Sequence, residues 1–209
     1  MIISLIFSKG GLSYMIKGID ISDNNGWLST EDWDAIKDAG IEFVICAASF
    51  GKTGTHDTFT ANVNNAHDRG MRVGAYHYSY ALDPDEMVIN AQHCHDVIEQ
   101  SGVGLELPVF LDMEDADGYK DRHGMNFSME NITAQCQTWK DTINYNTGVY
   151  ASMHWFDNFI DWQALGIPVW VAQWYVHEPD LKGFMWQYTE KLYINGKQFD
   201  GDYIFEEGD

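Results

Sequence analysis

Basic residues are scarce in this chain. Twelve Lys and Arg stand against thirty-two Asp and Glu in 209 residues, a formal net charge of −20. Such a surface repels phosphate backbones and anionic lipid, so nucleic acid and charged membranes are excluded as partners held by bulk charge. Cysteine is nearly as sparse. Cys46, Cys94 and Cys136 are an odd number with no C-x-x-C, so no disulfide framework is expected. Cys46 ends the apolar run Phe43-Val44-Ile45-Cys46 and reads as a buried thiol. His93-Cys94-His95 has the composition of a metal site, but consecutive helical residues point in different directions, so no metal is expected there. Long apolar runs are missing too: none approaches the ~20 residues of a membrane span. Met1 to Phe7 is too short for a signal-peptide core and has neither a basic start nor a cleavage site. No linker, repeat or second domain is visible.

What the chain does have is aromatic rings and alternating periodicities. Eight Trp, eleven Tyr and 45% hydrophobic residues indicate a globular fold with a full-sized core. Aromatic faces also pack against the C–H faces of sugar rings. Strand-like runs alternate with helical patterns, which indicates an α/β fold. Strands are expected at Ile16–Ser22, Glu42–Ser49, Arg72–Tyr80, Val109–Glu114, Gly148–Ser152, Pro168–Trp174, Gly183–Thr189 and Phe199–Phe205. Helices are expected from Ser29 to Gly40, Asp57 to Arg69, Asp83 to Gln100, Ser128 to Asn144 and around Trp155 to Leu165, with a polar loop from Asp115 to Phe127. The last connections fall short of the dozen or so residues a parallel crossover needs. The expected fold is therefore an irregular (β/α) TIM-like barrel of eight strands, with helices missing between the last ones. Lys9-Gly10-Gly11 can be encoded by a purine-rich ribosome-binding sequence, and Met15 follows at a suitable distance. Residues 1–14 are thus expected to be leader read from a start placed too early, and residues 15–209 a single domain.

Chemistry concentrates where Val109-Phe110-Leu111 runs into Asp112-Met113-Glu114. Alternation puts Asp112 and Glu114 on one face. Each ionised carboxylate raises the proton affinity of the other, and an acid beside a base is the equipment that cleaves a glycosidic bond. A strand fraying into a solvated acidic loop leaves the same D-x-E. In a β/α barrel, working residues sit at the C-terminal ends of strands. On the first strand, Gly18-Ile19-Asp20-Ile21-Ser22, the isoleucines take the helix side and Asp20 points inward; a core aspartate satisfied by backbone amides is the alternative. The last strand offers Asp200 near its start, unless that residue only makes a turn before Gly201. The first and last strands are neighbours when a barrel closes, so four acids from three strands converge on one mouth. Among the aromatics and polar groups of the rim, those nearest strand ends, Tyr78, Trp174 and Gln187, are the candidate substrate contacts. His77 lies on the face opposite Tyr76 and Tyr78 and reads as a core histidine rather than a general base.

Four segments, Lys17-Gly18-Ile19-Asp20-Ile21-Ser22, Gly74-Ala75-Tyr76-His77-Tyr78, Phe110-Leu111-Asp112-Met113-Glu114 and Trp186-Gln187-Tyr188-Thr189, together resemble glycoside hydrolase family 25. These are the lysozymes, or N-acetylmuramidases, of phage endolysins, bacteria and some fungi. The resemblance extends from Met15 to Phe205. It implies a catalytic domain over 15–209, with Glu114 as proton donor and with Asp112, Asp20 and Asp200 as the aspartates that orient or stabilise the reacting group. Phe199-Asp200-Gly201-Asp202 fits the family's last-strand pattern, with Asp202 in the slot taken by Asn or Asp. It implies hydrolysis of the bond between N-acetylmuramic acid and N-acetylglucosamine in bacterial peptidoglycan, by an enzyme needing no metal or organic cofactor. The expected state is a monomer that leaves a host cytoplasm as a phage or prophage endolysin. A barrel that binds glycan without cleaving it is the reading from another class. A chitinase-like barrel is disfavoured, because Val109-Phe110-Leu111 replaces the aspartates such enzymes carry ahead of the D-x-E.

Overall fold

The computed structural model describes residues 5–8 and 11–207, with side chains over residues 14–206. The strands are β1 (Leu5–Ser8), β2 (Gly11–Ile21), β3 (Phe43–Phe50), β4 (Gly54–Thr55), β5 (Arg72–Tyr78), β6 (Val109–Asp112), β7 (Thr147–Ser152), β8 (Val169–Ala172), β9 (Met185–Ile194) and β10 (Lys197–Glu207). The helices are α1 (Thr30–Asp38), α2 (Phe59–Asp68), α3 (Pro84–Ser101), α4 (Tyr119–Arg122), α5 (Met129–Thr142), α6 (Met153–Asn158) and α7 (Trp162–Leu165). Eight strands in the order β2-β10-β9-β8-β7-β6-β5-β3 close into a barrel through pairing of β2 with β3. The pairings from β2 through β3 and β5 to β9 are parallel, and β10 runs antiparallel to both of its neighbours.

Local chemistry explains the elements. Ser29 and Asp32 form a reciprocal capping box that starts α1, Asp32 N–H donating to Ser29 Oγ at 3.2 Å and Ser29 N–H to Asp32 Oδ2 at 2.9 Å. Asp83 caps α3, with Pro84 in its first turn. The expected helix around Trp155–Leu165 is divided into α6 and α7, and the expected polar loop after β6 contains α4. β9 and β10 are each longer than their apolar cores, because Asn195 (φ 49°) and Gly196 (φ 76°) make a two-residue left-handed turn that continues both strands as a hairpin.

Alternation sorts the strand side chains into two layers. Ile19, Ile21, Val44, Cys46, Leu111 and Val149 face outward against Trp33, Ile36, Trp139 and the other helix residues. Phe43, Ile45, Phe110, Trp170, Met185 and Ile204 fill the barrel interior. Gly18 and Gly148 make room for the interior rings of Phe43 and Phe110. A Cβ at Gly148 would lie 2.5 Å from Phe110 Cε1 and 2.6 Å from the Pro168 carbonyl oxygen. One of those neighbours is main chain and cannot rotate away, so Gly148→Ala should cost about 2–3 kcal/mol, read as a lower urea midpoint. An unchanged midpoint would mean that the interior is looser than this packing.

Candidate active site

Asp20, Asp112, Glu114 and Asp200 line one cleft of about 480 Å³ at the mouth of the barrel, together with Tyr76, Tyr78, Tyr150, Trp170 and Gln187. β6 ends at Asp112, so Glu114 stands two residues beyond the ladder and is half-buried, whereas Asp112 is buried. In register, Asp112 lies between Tyr78 on β5 and Tyr150 on β7. Asp20 on β2 is paired directly with Asp200 on β10. The reversed direction of β10 is what brings Asp200 to this end of the barrel, since the start of an antiparallel strand meets the finish of its neighbours. Irregularities in the β9–β10 register flank Asp200, a common feature of strands that aim a side chain into a site.

Gln187 holds one wall together. Its Oε1 accepts from Tyr150 O–H and from Trp174 Nε1–H, each at 3.1 Å, which leaves Nε2 to donate to Asp20 Oδ2 at 2.8 Å. Gln187 and Tyr78 line the cleft; Trp174 does not, its indole N–H being used on Gln187 while its ring stays exposed. Deeper in the barrel, Asp202 is fully buried and accepts from Trp170 Nε1–H at 2.9 Å. Two buried polar atoms of the cleft have no partner, Asp112 Oδ1 and Tyr78 O–H, whereas the Asp202 carboxyl shares a hydrogen bond with that of Asp20. Unpaired buried polar atoms are costly, and in a cleft they point to a ligand that completes them.

Asp20, Asp112, Glu114, Asp200 and Asp202 are each pushed toward the protonated form, and burial is the first cause each time. The Asp20 carboxyl rises to about 7 through burial and the neighbouring Asp200 charge, and Asp200 to about 6 through burial and Glu190. Asp112 is held well above the carboxylate range by burial and by Glu114. Glu114 is raised by burial, against the pull of Lys120. Asp202 is held well above its ordinary value by burial and Asp20.

Lys120, which composition reads as a solvated loop residue, is fully buried behind this cluster. Nothing in its sequence surroundings signals that. Tyr150 was findable: in Val149-Tyr150-Ala151 it alternates with two outward residues. His77 is a core residue, its ring nitrogens bonded to Ser49 Oγ at 2.8 Å and Asn90 Oδ1 at 3.0 Å, and burial drives its pKa down to about 3. His93 and His95 reach different carbonyls, those of Gly54 and Ile143. The three cysteines are free and buried.

Known proteins resemble this chain in sequence and fold. The sequence pattern of Glycosyl hydrolases family 25 matches residues 19–197. The autolytic lysozyme of Clostridium acetobutylicum is 28% identical over 189 residues, covering 87% of this chain and 52% of that protein. Lysozyme M1 of Streptomyces globisporus is 28% identical over 208 residues, covering 90% and 66%. The chain thus spans about half to two thirds of the length of these relatives. The modular autolysin LytC of Streptococcus pneumoniae, solved with a synthetic peptidoglycan ligand, shares the fold with a TM-score of 0.80 at 18% identity, over 99% of this chain and 53% of that one. The pattern match takes in the end of β2, every strand from β3 through β9 and the turn after β9, stopping at Lys197 ahead of Asp200, and by it the chain belongs to glycosyl hydrolases family 25.

Proposed function

We propose that this chain is an N-acetylmuramidase that hydrolyses the β-1,4 bond between N-acetylmuramic acid and N-acetylglucosamine in bacterial peptidoglycan. One observation carries the reading: a half-buried glutamate with raised proton affinity faces a cleft otherwise walled by aspartates and aromatic rings. Glu114 gives its proton to the glycosidic oxygen as the bond to muramic acid breaks. Positive charge then builds at the anomeric carbon. Asp112 answers it, either directly or by accepting the N–H of the substrate's 2-acetamido group while that group's oxygen attacks; Glu114, now a carboxylate, then takes a proton from the water that adds to this carbon, which frees the new reducing end and restores the acid. The unpartnered Asp112 Oδ1 and Tyr78 O–H suit the second route, being an acceptor and a donor for one acetamido group. Asp20, oriented by Gln187, and Asp200 supply negative potential on the opposite side of the cleft. The similar proteins named lysozymes and autolysin support a peptidoglycan substrate. In the same reading the enzyme acts as a monomer on the cell wall, released from a host cytoplasm in the manner of a phage or prophage endolysin.

Digestion of purified peptidoglycan tests this. New reducing ends should appear on N-acetylmuramic acid. Ends on N-acetylglucosamine would replace the muramidase with a glucosaminidase, and glycan binding with no new ends would leave a non-catalytic barrel.

A further inference from the structure

Buried carboxyls in one cleft favour losing their charge altogether, yet the proposed chemistry needs an anion beside an acid. The loop after β6 contains an answer. Asp115 caps α4, its Oδ1 accepting Lys120 N–H at 2.7 Å and its Oδ2 accepting Asp121 N–H at 3.1 Å. This docks the short helix so that Lys120 runs inward beneath the strand ends, while Arg122, on the same helix, turns out to the Asp117 carbonyl. The Lys120 ammonium donates to the main-chain oxygens of Ser79 and Glu114 and lies 5.3 Å from the centre of the Tyr78 ring. It therefore ties the end of β5 to the main chain of the proton donor. Desolvating an ammonium costs several kcal/mol, so a buried one with only carbonyls for direct partners needs a compensating field. The acid cluster provides it.

We propose that Lys120 is a positioning residue for the reaction: its ammonium fixes the main chain of Glu114 and keeps one negative charge on the Asp112–Glu114 pair. The inference rests on the muramidase reading of the cleft. The groups facing Lys120 are Tyr78 from β5, Asp112 and Glu114 at the end of β6, Asp115 and Asp117 from the following loop, and His77 and Cys136 from the outer layer. Asp115 is committed to the α4 cap, and Asp117 accepts from Tyr80 O–H and Tyr119 N–H, each at 3.0 Å. Burial keeps His77 neutral and lifts the Cys136 thiol to about 12, so neither supplies charge near neutral pH. Burial raises Asp112 and Glu114, and Lys120 draws both back. Without the ammonium both carboxyls stay protonated over a wider range: the acid remains and the anion is lost.

Lys120→Met and Lys120→Gln, assayed on purified peptidoglycan between about pH 4 and pH 9, separate this role from simple support. Expected are a roughly 10- to 100-fold fall in kcat with KM little changed, and both limbs of the pH profile moved upward by about one unit. Lys120→Arg, which keeps the charge, should leave the limbs in place. A folded Met or Gln variant whose limbs coincide with wild type overturns the proposal, because lost support scales activity without moving them. If these variants do not fold, lysine-¹³Cε NMR of the wild-type chain decides: Lys120 must stay protonated throughout the active pH range, and a neutral amine within it overturns the idea. New reducing ends on N-acetylglucosamine from the wild-type chain, or none at all, would instead sink the muramidase reading itself, so the two failures are distinct.

Discussion

Glu114→Gln should lower the rate of peptidoglycan hydrolysis by about 10³-fold while leaving the fold intact. Glutamine has the same shape and keeps the main-chain oxygen that Lys120 holds, so the strand ends stay tied. What it lacks is a proton acidic enough to give to a departing sugar. Thermal stability should be unchanged or slightly higher near neutral pH, because burial already works against the Glu114 charge. Asp112→Asn should be nearly as damaging for the complementary reason: the acid survives and the anion does not. Release of reducing ends from purified walls measures both. A Glu114→Gln protein that clears a cell-wall suspension at a rate comparable to wild type would remove the acid from its assigned place.

Asp202→Asn should move stability in the favourable direction, and by more as pH rises. Asp202 is fully buried, and its carboxyl shares a hydrogen bond with that of Asp20. Its proton affinity is raised, so the folded chain keeps a proton that the unfolded chain loses above its ordinary value of 3.8. The folded state binds more protons, and the linkage relation then makes this group's contribution fall with increasing pH. Below that value the carboxyl is protonated in both states and nothing is lost. Asparagine mimics the protonated form at every pH: it keeps an oxygen for Trp170 Nε1–H and turns an N–H toward Asp20. Melting temperatures of variant and wild type should nearly coincide at about pH 4 and separate by at least roughly 2–4 °C at about pH 8, equivalent to about 1 kcal/mol in a chain of this size. A variant that melts lower than wild type at pH 8 would show that Asp202 is ionised and paired in the fold.

Much of the barrel was legible because the periodicities are strong. Ile19 and Ile21 flanking Asp20 announce an inward acid, and the same two-residue rhythm fixes Tyr76 and Tyr78 against His77. The helix starts at Ser29 and Asp83 carry their own capping chemistry. The four acids were placed in one mouth by strand-end reasoning, and all four line the cleft. Less legible were features that depend on direction or on distant neighbours. Nothing in Phe199-Asp200-Gly201 says that the strand runs backwards; the signal lay upstream, in Asn195-Gly196, a pair suited to the tight turn that reverses the chain. Trp174 sits at a strand end as expected, yet its indole is turned to Gln187, because the neighbour that claims it is thirteen residues away. Lys120 was hidden most thoroughly. A lysine amid aspartates reads as a solvated charge, and only the docking of a four-residue helix turns it inward.

The pairing of Asp20 with Asp200 has a temporal consequence. A ribosome makes the first of these residues long before the second, and the sheet shuts only when they meet. A nascent chain halted between Glu114 and Asp200 already carries the glutamate but has no finished cavity around it. The cleft is therefore assembled only after Asp200 has been made, however early its other acids emerge.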